Sequence, residues 1–250
     1  MPTAAISSPA ATTEPTARGT AEKPSPLAAA PEPIPLDILF EDDHLLVVHK
    51  PHGMLVHPSV RERSGTLMNG LLHHAPHAEA IRLPHRLDRD TSGLMVVTKT
   101  ARAVHSIALQ FLHRTVEKRY AALVAGVVAE EEQLIDAPIG RDRLARPQWG
   151  IRNEGRTAQS RLHVRERSAG GTLLALTPIT GRTNQLRLHC LHIGHPIFGD
   201  TIYSGPPAPR LCLHAERLAF HHPITNERMA FERMAEFNFP PNSSQNNPSA

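Results

Sequence analysis

The 250-residue sequence contains only two cysteines, Cys190 and Cys212, and aromatic residues make up just 4% of it. Two cysteines are too few for a disulfide-stapled scaffold. With so few aromatic side chains, the core must be built mainly from Leu, Val, Ile and Ala. No stretch approaches the roughly 20 consecutive apolar residues that a membrane-spanning helix needs. The composition, 40% hydrophobic and 20% charged, instead resembles that of a globular protein with no membrane partner.

The sequence also lacks a strong excess of charge of one sign. Lys and Arg number 27 against 24 Asp and Glu, which leaves a net charge of +3. The positive charge is concentrated in the middle, because residues 82–187 hold 18 Lys and Arg against 10 Asp and Glu, a balance of +8. Solvated surface charge is one explanation of this segment, and a basic surface for a polyanion is the other.

The two ends differ in composition from the rest of the chain. The first 36 residues contain no Phe, Trp or Tyr, and Pro and Ala supply 17 of them. Such a segment buries too little apolar area to offset its ordering entropy, so we expect residues 1–36 to form a disordered tail. It has no apolar run of the kind found in a secretory signal. Residues 240–250 are expected to be a second disordered tail, which leaves residues 37–239 as one folded domain.

Short apolar runs alternate with a few helical patterns inside this domain. Strands are predicted at residues 45–48, 94–97, 120–124 and 173–176, and helices at residues 100–113 and 183–193. Thr100 is a suitable cap for the first helix, and Gly194 is a suitable end for the second. The elements do not alternate as regular strand–helix–strand units. The sequence therefore predicts an α+β fold with a mixed sheet rather than a doubly wound parallel sheet.

The densest polar segment is residues 85–93, with the sequence HRLDRDTSG. Asp88 stands there among His85, Arg86 and Arg89, and basic neighbours should keep a carboxylate ionised and able to act as nucleophile or base. A turn with solvated ion pairs is the alternative. Residues 88–90 also resemble the Asp-x-Asp start of haloacid-dehalogenase-type phosphatases, but the strongly apolar strand that normally precedes that motif is missing.

Three other features allow both a functional and an ordinary structural explanation. A glycine turn leads into a helix that carries Arg182 and Arg187 near its start, which suits phosphate or carboxylate binding, although both side chains could simply be solvated. Tyr120, at the start of a strand, could stack on a ligand or only pack its ring. Seventeen histidines suggest a metal site. The cluster at residues 73–77 is interrupted by Pro76, and no paired Cys-x-x-Cys or His-Glu-x-x-His is present, so we expect no metal.

Taken in order, these segments resemble the pseudouridine synthases of the RluA family. The family signature His-Arg-Leu-Asp-x-x-Thr-Ser-Gly is complete at residues 85–93. Further matches lie at residues 41–53, 118–120, 181–187, 194–200 and 211–216. The resemblance covers roughly residues 37–237, and six motifs in the same order are highly specific. One position departs from the family, because Asn184 stands where a His is usual.

The resemblance implies a mixed, largely antiparallel sheet with flanking helices and a central basic cleft. It implies Asp88 as the nucleophile, Arg187 as the residue that pairs with it, and Tyr120 as the residue that lies against the target base. The RNA-binding residues expected are His85, Arg86, Arg89 and Arg182, of which Arg86 would fill the space that a flipped uridine leaves. No metal and no organic cofactor is implied.

The implied reaction is the isomerisation of uridines in structured RNA to pseudouridine. We expect it to occur in the cytoplasm and to be carried out by a monomer with no obligate protein partner. Residues 155–160 and 210–216 resemble the short form of the family, which lacks an N-terminal S4 RNA-binding module and acts on 23S rRNA and a tRNA anticodon stem-loop. A non-catalytic RNA-binding protein on the same fold is the alternative, although the intact Asp88, Tyr120 and Arg187 argue against it.

Overall fold

The computed structural model describes residues 29–239 except Arg143 and Arg146, and a single large sheet dominates it. The strands are β1 (Asp37–Glu41), β2 (Leu45–Lys50), β3 (Ser92–Thr98), β4 (Glu117–Ala125), β5 (Glu132–Asp136), β6 (Ile139–Arg141), β7 (Trp149–Ile151), β8 (Gln159–Ser168), β9 (Gly171–Pro178), β10 (Leu213–His221) and β11 (Arg228–Glu232). The helices are α1 (Leu67–His74), α2 (Ala101–Leu112) and α3 (Gln185–His192). None of the helices in this part of the chain is long and apolar enough to cross a membrane.

Nine strands form the large sheet in the order β1-β2-β3-β10-β4-β9-β8-β5, with β11 also paired to β10, and β6 and β7 form a separate hairpin. Among the described strands, β3 and β10 are the one parallel pair, and all other pairs are antiparallel. The predicted α+β fold with a mixed, mostly antiparallel sheet is therefore confirmed. The β3–β10 pair lies near the middle of the sheet, and its β3 residues, Ser92 and Gly93, are the last two of the HRLDRDTSG segment.

Strand β3 shows why a continuous apolar run forms here. All seven of its residues are buried. Met95 and Val97 pack into one hydrophobic cluster, while Leu94 and Val96 pack into another on the opposite face. Because side chains alternate between the faces of a strand, a strand covered on both faces must be apolar throughout. Strands β3 and β10 also approach each other closely at Gly93, because a Cβ there would lie 2.3 Å from the carbonyl oxygen of Ala215 on β10.

Both predicted helices are present, with small differences at their ends. Thr100 caps α2, since its hydroxyl accepts a hydrogen bond from the Ala103 amide at 3.3 Å. Helix α3 begins two residues later than predicted because Asn184 adopts a left-handed conformation, with φ of 55°. The predicted end at Gly194 is confirmed, with φ of 82°.

Helix α1 has no counterpart among the predicted elements. It spans only eight residues and contains Gly70, a poor helix former, which explains why the sequence did not predict it. Its start is fixed by a capping box in which the side chains of Thr66 and Asn69 bond each other's backbone amides. The backbone of Gly70 lies close to the preceding segment, because a Cβ there would be 3.0 Å from the Leu36 side chain and 3.2 Å from that of Ile34.

The predicted N-terminal tail, residues 1–36, is described only from residue 29. Residues 29–36 contain no helix or strand, but they lie against α1. The Asn69 side chain donates to the Ala30 carbonyl at 2.7 Å, and the Glu32 amide donates to the Asn69 carbonyl at 3.0 Å. Residues 1–28 and the second predicted tail, residues 240–250, lie outside the described part of the chain.

Candidate active site

A cleft of about 860 Å³ lies between three segments that are distant in sequence. They are the turn at residues 84–91 before β3, the start of β4, and residues 177–187, which lead into α3. Six of the seven residues singled out from the sequence line it, namely His85, Arg86, Asp88, Tyr120, Arg182 and Arg187. The seventh, Arg89, does not line the cleft. The fold thus brings the three sequence segments together in one place.

Asp88 faces the guanidinium of Arg187 across this cleft. The distance from Asp88 Oδ2 to Arg187 Nη1 is 3.9 Å. Arg187 itself is fixed by Asp200, which accepts hydrogen bonds from Arg187 Nε at 2.7 Å and from Nη2 at 2.6 Å. The Arg187 and Asp200 side chains are only 5% and 1% exposed, against 24% for Asp88. A bidentate buried pair therefore orients the guanidinium, and its remaining amino group points towards the more accessible carboxylate.

Burial raises the pKa of Asp88 above its usual value. Arg187 is the strongest of the groups that oppose this rise, followed by Arg86 and Lys50. The sequence suggested that His85, Arg86 and Arg89 would keep the carboxylate ionised, but only Arg86 of these three does so. The other two opposing charges come from residues far away in the sequence. Asp88 is thus a desolvated carboxylate, and Arg187 is the charge that most favours its ionised form.

Lys50, at the end of β2, donates a hydrogen bond to the turn that carries Asp88. Its side chain is fully buried, and its ammonium donates to the carbonyls of Pro51, Met54 and Arg89 at 2.8–2.9 Å. Burial lowers the pKa of Lys50 to about 8, although the charges of Asp90 and Asp88 oppose this shift. The three carbonyl bonds explain how a cation can stay buried here, and they tie β2 to the turn that carries Asp88.

Tyr120 lies on β4 beside Asp88. Burial raises the pKa of its hydroxyl above the usual value, and the negative charge of Asp88 raises it further. The phenol therefore stays protonated at neutral pH. Its ring packs between two hydrophobic clusters, so its position in the cleft wall is fixed. A neutral, rigid ring of this kind is suited to stacking on a base.

His85 is held by the fold rather than free in the cleft. Its Nε2 accepts a hydrogen bond from the Val96 amide at 3.0 Å, and its ring stacks on Phe111 with 4.8 Å between centroids. Burial lowers the pKa of His85 to about 3, and the nearby Lys118 lowers it further. The imidazole is therefore neutral, and this environment favours a structural role. The predicted contact between His85 and RNA stays a prediction.

The three arginines predicted to bind RNA have different surroundings. Arg89 does not line the cleft and pairs with Glu62 on the surface. Arg182 lines the cleft, and its Nε donates to the Thr157 carbonyl at 3.0 Å. Arg86 is exposed in the cleft and pairs with no carboxylate of the described residues. Of the three, Arg86 is thus the one whose guanidinium is free to contact a ligand near Asp88.

Asn184, the departure from the family motif, contacts the residues that support Arg187. Its side-chain amide donates to the Tyr203 hydroxyl at 2.8 Å, and that hydroxyl donates to the Trp149 carbonyl at 3.3 Å. The Arg187 guanidinium lies 5.0 Å from the centroid of the Tyr203 ring. Asn184 therefore helps to position Tyr203, which forms one wall around Arg187.

Sequence reasoning did not identify Lys50, Asp200 and Tyr203 as site residues. A signal was present for Lys50, because a lysine two residues after the apolar run of residues 45–48 lies at the end of the same strand. For the other two, only their place in the motif at residues 194–200 and just after it gave a hint. No group of three or more metal-ligating side chains occurs within the described residues.

The sequence profile of one family, described as RNA pseudouridylate synthase, matches residues 44–192. This match covers more than half of the chain. It includes the Asp88 turn, β4 and the Arg187 helix, which are the three parts of the cleft. The chain therefore belongs to the RNA pseudouridylate synthase family. Nothing in this membership supports the phosphatase alternative suggested by residues 88–90.

Individual relatives agree with the family match. A protein of Nitrosomonas europaea named ribosomal large subunit pseudouridine synthase D is 42% identical in a match that covers 80% of this chain and 62% of that protein. This chain thus spans less than two thirds of that relative's length. A Bacillus subtilis protein named uncharacterized RNA pseudouridine synthase YlyB is 40% identical over 85% of this chain and 73% of its own length.

A solved structure has the same fold. The chain titled human RNA pseudouridylate synthase domain containing 1 superposes with a TM-score of 0.69 at 28% sequence identity. The match covers 80% of this chain and 84% of the human one. The mostly antiparallel sheet described above is therefore the fold of this family.

Proposed function

We propose that this protein isomerises specific uridines in structured RNA to pseudouridine, with Asp88 as the catalytic nucleophile. One observation carries the proposal. Asp88, in a complete family signature, faces a cleft within 3.9 Å of a guanidinium that is itself held by Asp200. This arrangement provides a partly accessible carboxylate with a fixed cation beside it that favours its ionised form, which is what attack on a sugar carbon or removal of a sugar proton requires.

The cleft has the properties needed to receive a nucleotide taken out of an RNA fold. A uridine inside an RNA helix is unreachable until it is flipped out, and flipping costs on the order of a few kcal/mol. Contacts between cationic side chains and phosphates can offset this cost. Arg86 is exposed beside Asp88 and has no carboxylate partner among the described residues, so it can occupy the space that the uridine leaves.

The reaction breaks the bond between N1 of the base and C1′ of the ribose and forms a bond between C5 and C1′. The base loses its C5 proton and gains a proton at N1, so the change is an isomerisation without a co-reactant. Asp88 can begin it by attacking C1′ or by removing the C2′ proton to give a glycal. The raised pKa of Tyr120 disfavours the phenolate. Stacking on the base is therefore the better supported role for Tyr120.

The names of the relatives point to ribosomal RNA. The Nitrosomonas europaea relative is named for the large ribosomal subunit. On this basis 23S rRNA is the first substrate that we propose, with a tRNA anticodon stem-loop as the second. Action on rRNA would place the protein in the cytoplasm. Since every residue of the proposed site comes from this chain, we propose that a monomer suffices for the reaction.

Mapping of pseudouridines in rRNA and tRNA tests this proposal. The map is compared between cells with the gene, cells without it, and cells that carry Asp88→Asn instead. We expect at least one pseudouridine to disappear without the gene and to stay absent with Asp88→Asn. Identical maps with and without the gene would contradict the proposed activity. Restoration by Asp88→Asn would support the alternative, a non-catalytic RNA-binding protein.

A further inference from the structure

Lys118 is a cleft-lining cation that lacks a counter-ion. It lies on β4, is half-buried, and lines the cleft two residues before Tyr120. Its ammonium sits 5.7 Å from the centroid of the Phe111 ring. Within residues 29–239, the two gaps aside, no carboxylate comes within ion-pair distance of it. Burial alone lowers the pKa of Lys118.

The charges on either side of Lys118 are all neutralised. Glu117 pairs with Arg228 at 2.6 Å, and Arg119 pairs with the buried Glu216 at 2.6 Å. Successive side chains of a strand point to opposite faces, so Lys118 shares its face with Tyr120 rather than with these two residues. Glu117 and Arg119 also line the cleft but are paired, so Lys118 is the charged residue of β4 in the cleft that has no ion-pair partner among the described residues.

The histidine whose pKa Lys118 affects does not compensate this charge. His85 stacks on the same Phe111 ring, and it is neutral because burial and the charge of Lys118 lower its pKa to about 3. A cation that is partly withdrawn from water and has no partner is costly for a protein to maintain. An anion bound in the cleft would remove this cost.

A second unpaired cation, Arg114, lines the same cleft where the chain passes from α2 to β4. It is exposed, and it pairs with no carboxylate of the described residues. Its backbone is in the left-handed region with φ of 59°, which is uncommon for a residue other than Gly, Asn or Asp. Hydrogen bonds from the Arg114 amide to the Phe111 carbonyl at 3.2 Å and from Thr115 to Gln110 at 3.0 Å hold this conformation. A left-handed residue just after the cap is a common way for a helix to end, and here it places Arg114 at the edge of the cleft.

We propose that Lys118 and Arg114 form a subsite for a backbone phosphate of the RNA substrate. This inference rests on the proposed function, because it takes a polynucleotide as the ligand of the cleft. A phosphodiester supplies the negative charge and the acceptor oxygens that the two side chains lack. The subsite shares the cleft with the Asp88 centre but none of its residues. It would fix the RNA backbone while Tyr120 lies against the base.

The salt dependence of RNA binding tests the subsite. The affinity of the purified full-length protein for a 23S rRNA transcript is measured over a range of KCl concentrations. Each phosphate contact contributes about 0.7 to 0.9 to the slope of log Kd against log[KCl]. We expect Lys118→Gln and Arg114→Gln each to lower the slope by about this amount, and Lys118→Arg to preserve it. Arg102→Gln, which removes an exposed charge from α2 outside the cleft, is the matched control and should leave the slope unchanged.

A second measurement does not depend on RNA. Inorganic phosphate, added at constant ionic strength, should raise the Tm of the wild-type protein more than that of the Lys118→Gln, Arg114→Gln double variant. Without phosphate, Lys118→Gln should not lower the Tm, because it removes an unpaired charge. Equal slopes for Lys118→Gln, Arg102→Gln and wild type would overturn the subsite. Failure of the wild type to bind the transcript would contradict the proposed function instead, and the phosphate measurement would then decide the subsite by itself.

Discussion

The guanidinium of Arg187 makes its two short hydrogen bonds, of 2.7 and 2.6 Å, to Asp200, and its contact with Asp88 is an ion pair at 3.9 Å. Asp200 is therefore the partner that holds Arg187 in place. Asp88 is left with a stabilising charge nearby but without a tight salt bridge that would occupy its oxygens. A carboxylate in this situation can remain ionised and still approach a substrate.

The substitution Asp200→Asn tests this relationship. It leaves the buried Arg187 without its charged partner, which costs on the order of 3 kcal/mol of stability. Because Arg187 is then free to turn, we expect kcat to fall more than KM rises. Denaturant unfolding and single-turnover kinetics measure the two effects. The control Asp136→Asn, at an exposed carboxylate that accepts a bond from Gln159, should change neither. A kcat of Asp200→Asn equal to that of the wild type would show that Arg187 does not need Asp200 to hold its position.

Arg187→Gln should shift the acid limb of the pH profile. Arg187 opposes the effect of burial on the pKa of Asp88 more than any other group does. Its removal should raise that pKa further, so the ionised fraction of Asp88 is lost at a higher pH as the solution is acidified. We expect the acid limb of kcat/KM to move to higher pH. Arg89→Gln is the control, since Arg89 pairs with Glu62 and should leave the limb in place. Identical limbs for all three proteins would contradict this assignment.

His85 should not titrate in the physiological range. Its pKa is lowered to about 3, because it is buried and lies near Lys118. A histidine that is neutral when folded but ionises near pH 6.5 when unfolded removes stability as the pH falls from about 6.5 towards 3. Nitrogen NMR of the imidazole should show an unprotonated Nε2 at all values from pH 5 to 8. A titration midpoint near 6.5 would mean that His85 is exposed in solution and able to carry charge to RNA.

Asn184→His should preserve activity, whereas Asn184→Val should reduce it. Asn and His both tolerate the left-handed conformation found here, and both can donate a hydrogen bond to Tyr203. A β-branched residue at this φ is strained and lacks the donor, which costs about 1 to 3 kcal/mol. Asn184→Gly keeps the conformation but removes the donor, so it separates the two effects. Melting temperature and kcat report them. Full activity in Asn184→Val would show that the Tyr203 contact is dispensable.

The parts of the fold that the sequence predicted are those with local signals. Thr100 caps α2 through a residue three positions away, and the apolar run at 94–97 forms a strand buried on both faces. By contrast, Asp200 lies 13 residues from Arg187, and the carbonyl of Arg89 lies 39 residues from Lys50. No spacing rule links such pairs, because tertiary packing alone brings them together. For the same reason two of the three cations that favour the ionised form of Asp88, Arg187 and Lys50, come from distant parts of the sequence.

The motif resemblance provided what local spacing could not. It brought Asp88, Tyr120 and Arg187 into one site, and the three residues do line one cleft. It gave no information on which charged side chains are paired or neutral, because this depends on how deeply each side chain is buried and on what surrounds it. The neutral state of His85 and the missing partner of Lys118 emerge only from the packed structure.

The most direct test of the central claim is pseudouridine formation by the purified protein on a 23S rRNA transcript, with Asp88→Asn measured beside the wild type. The substitution preserves the shape of the side chain and removes its charge and its nucleophilicity. We predict that the wild type forms pseudouridine at defined positions and that Asp88→Asn binds the transcript but forms none. Turnover by Asp88→Asn at the wild-type rate would contradict the assignment of Asp88 as the nucleophile.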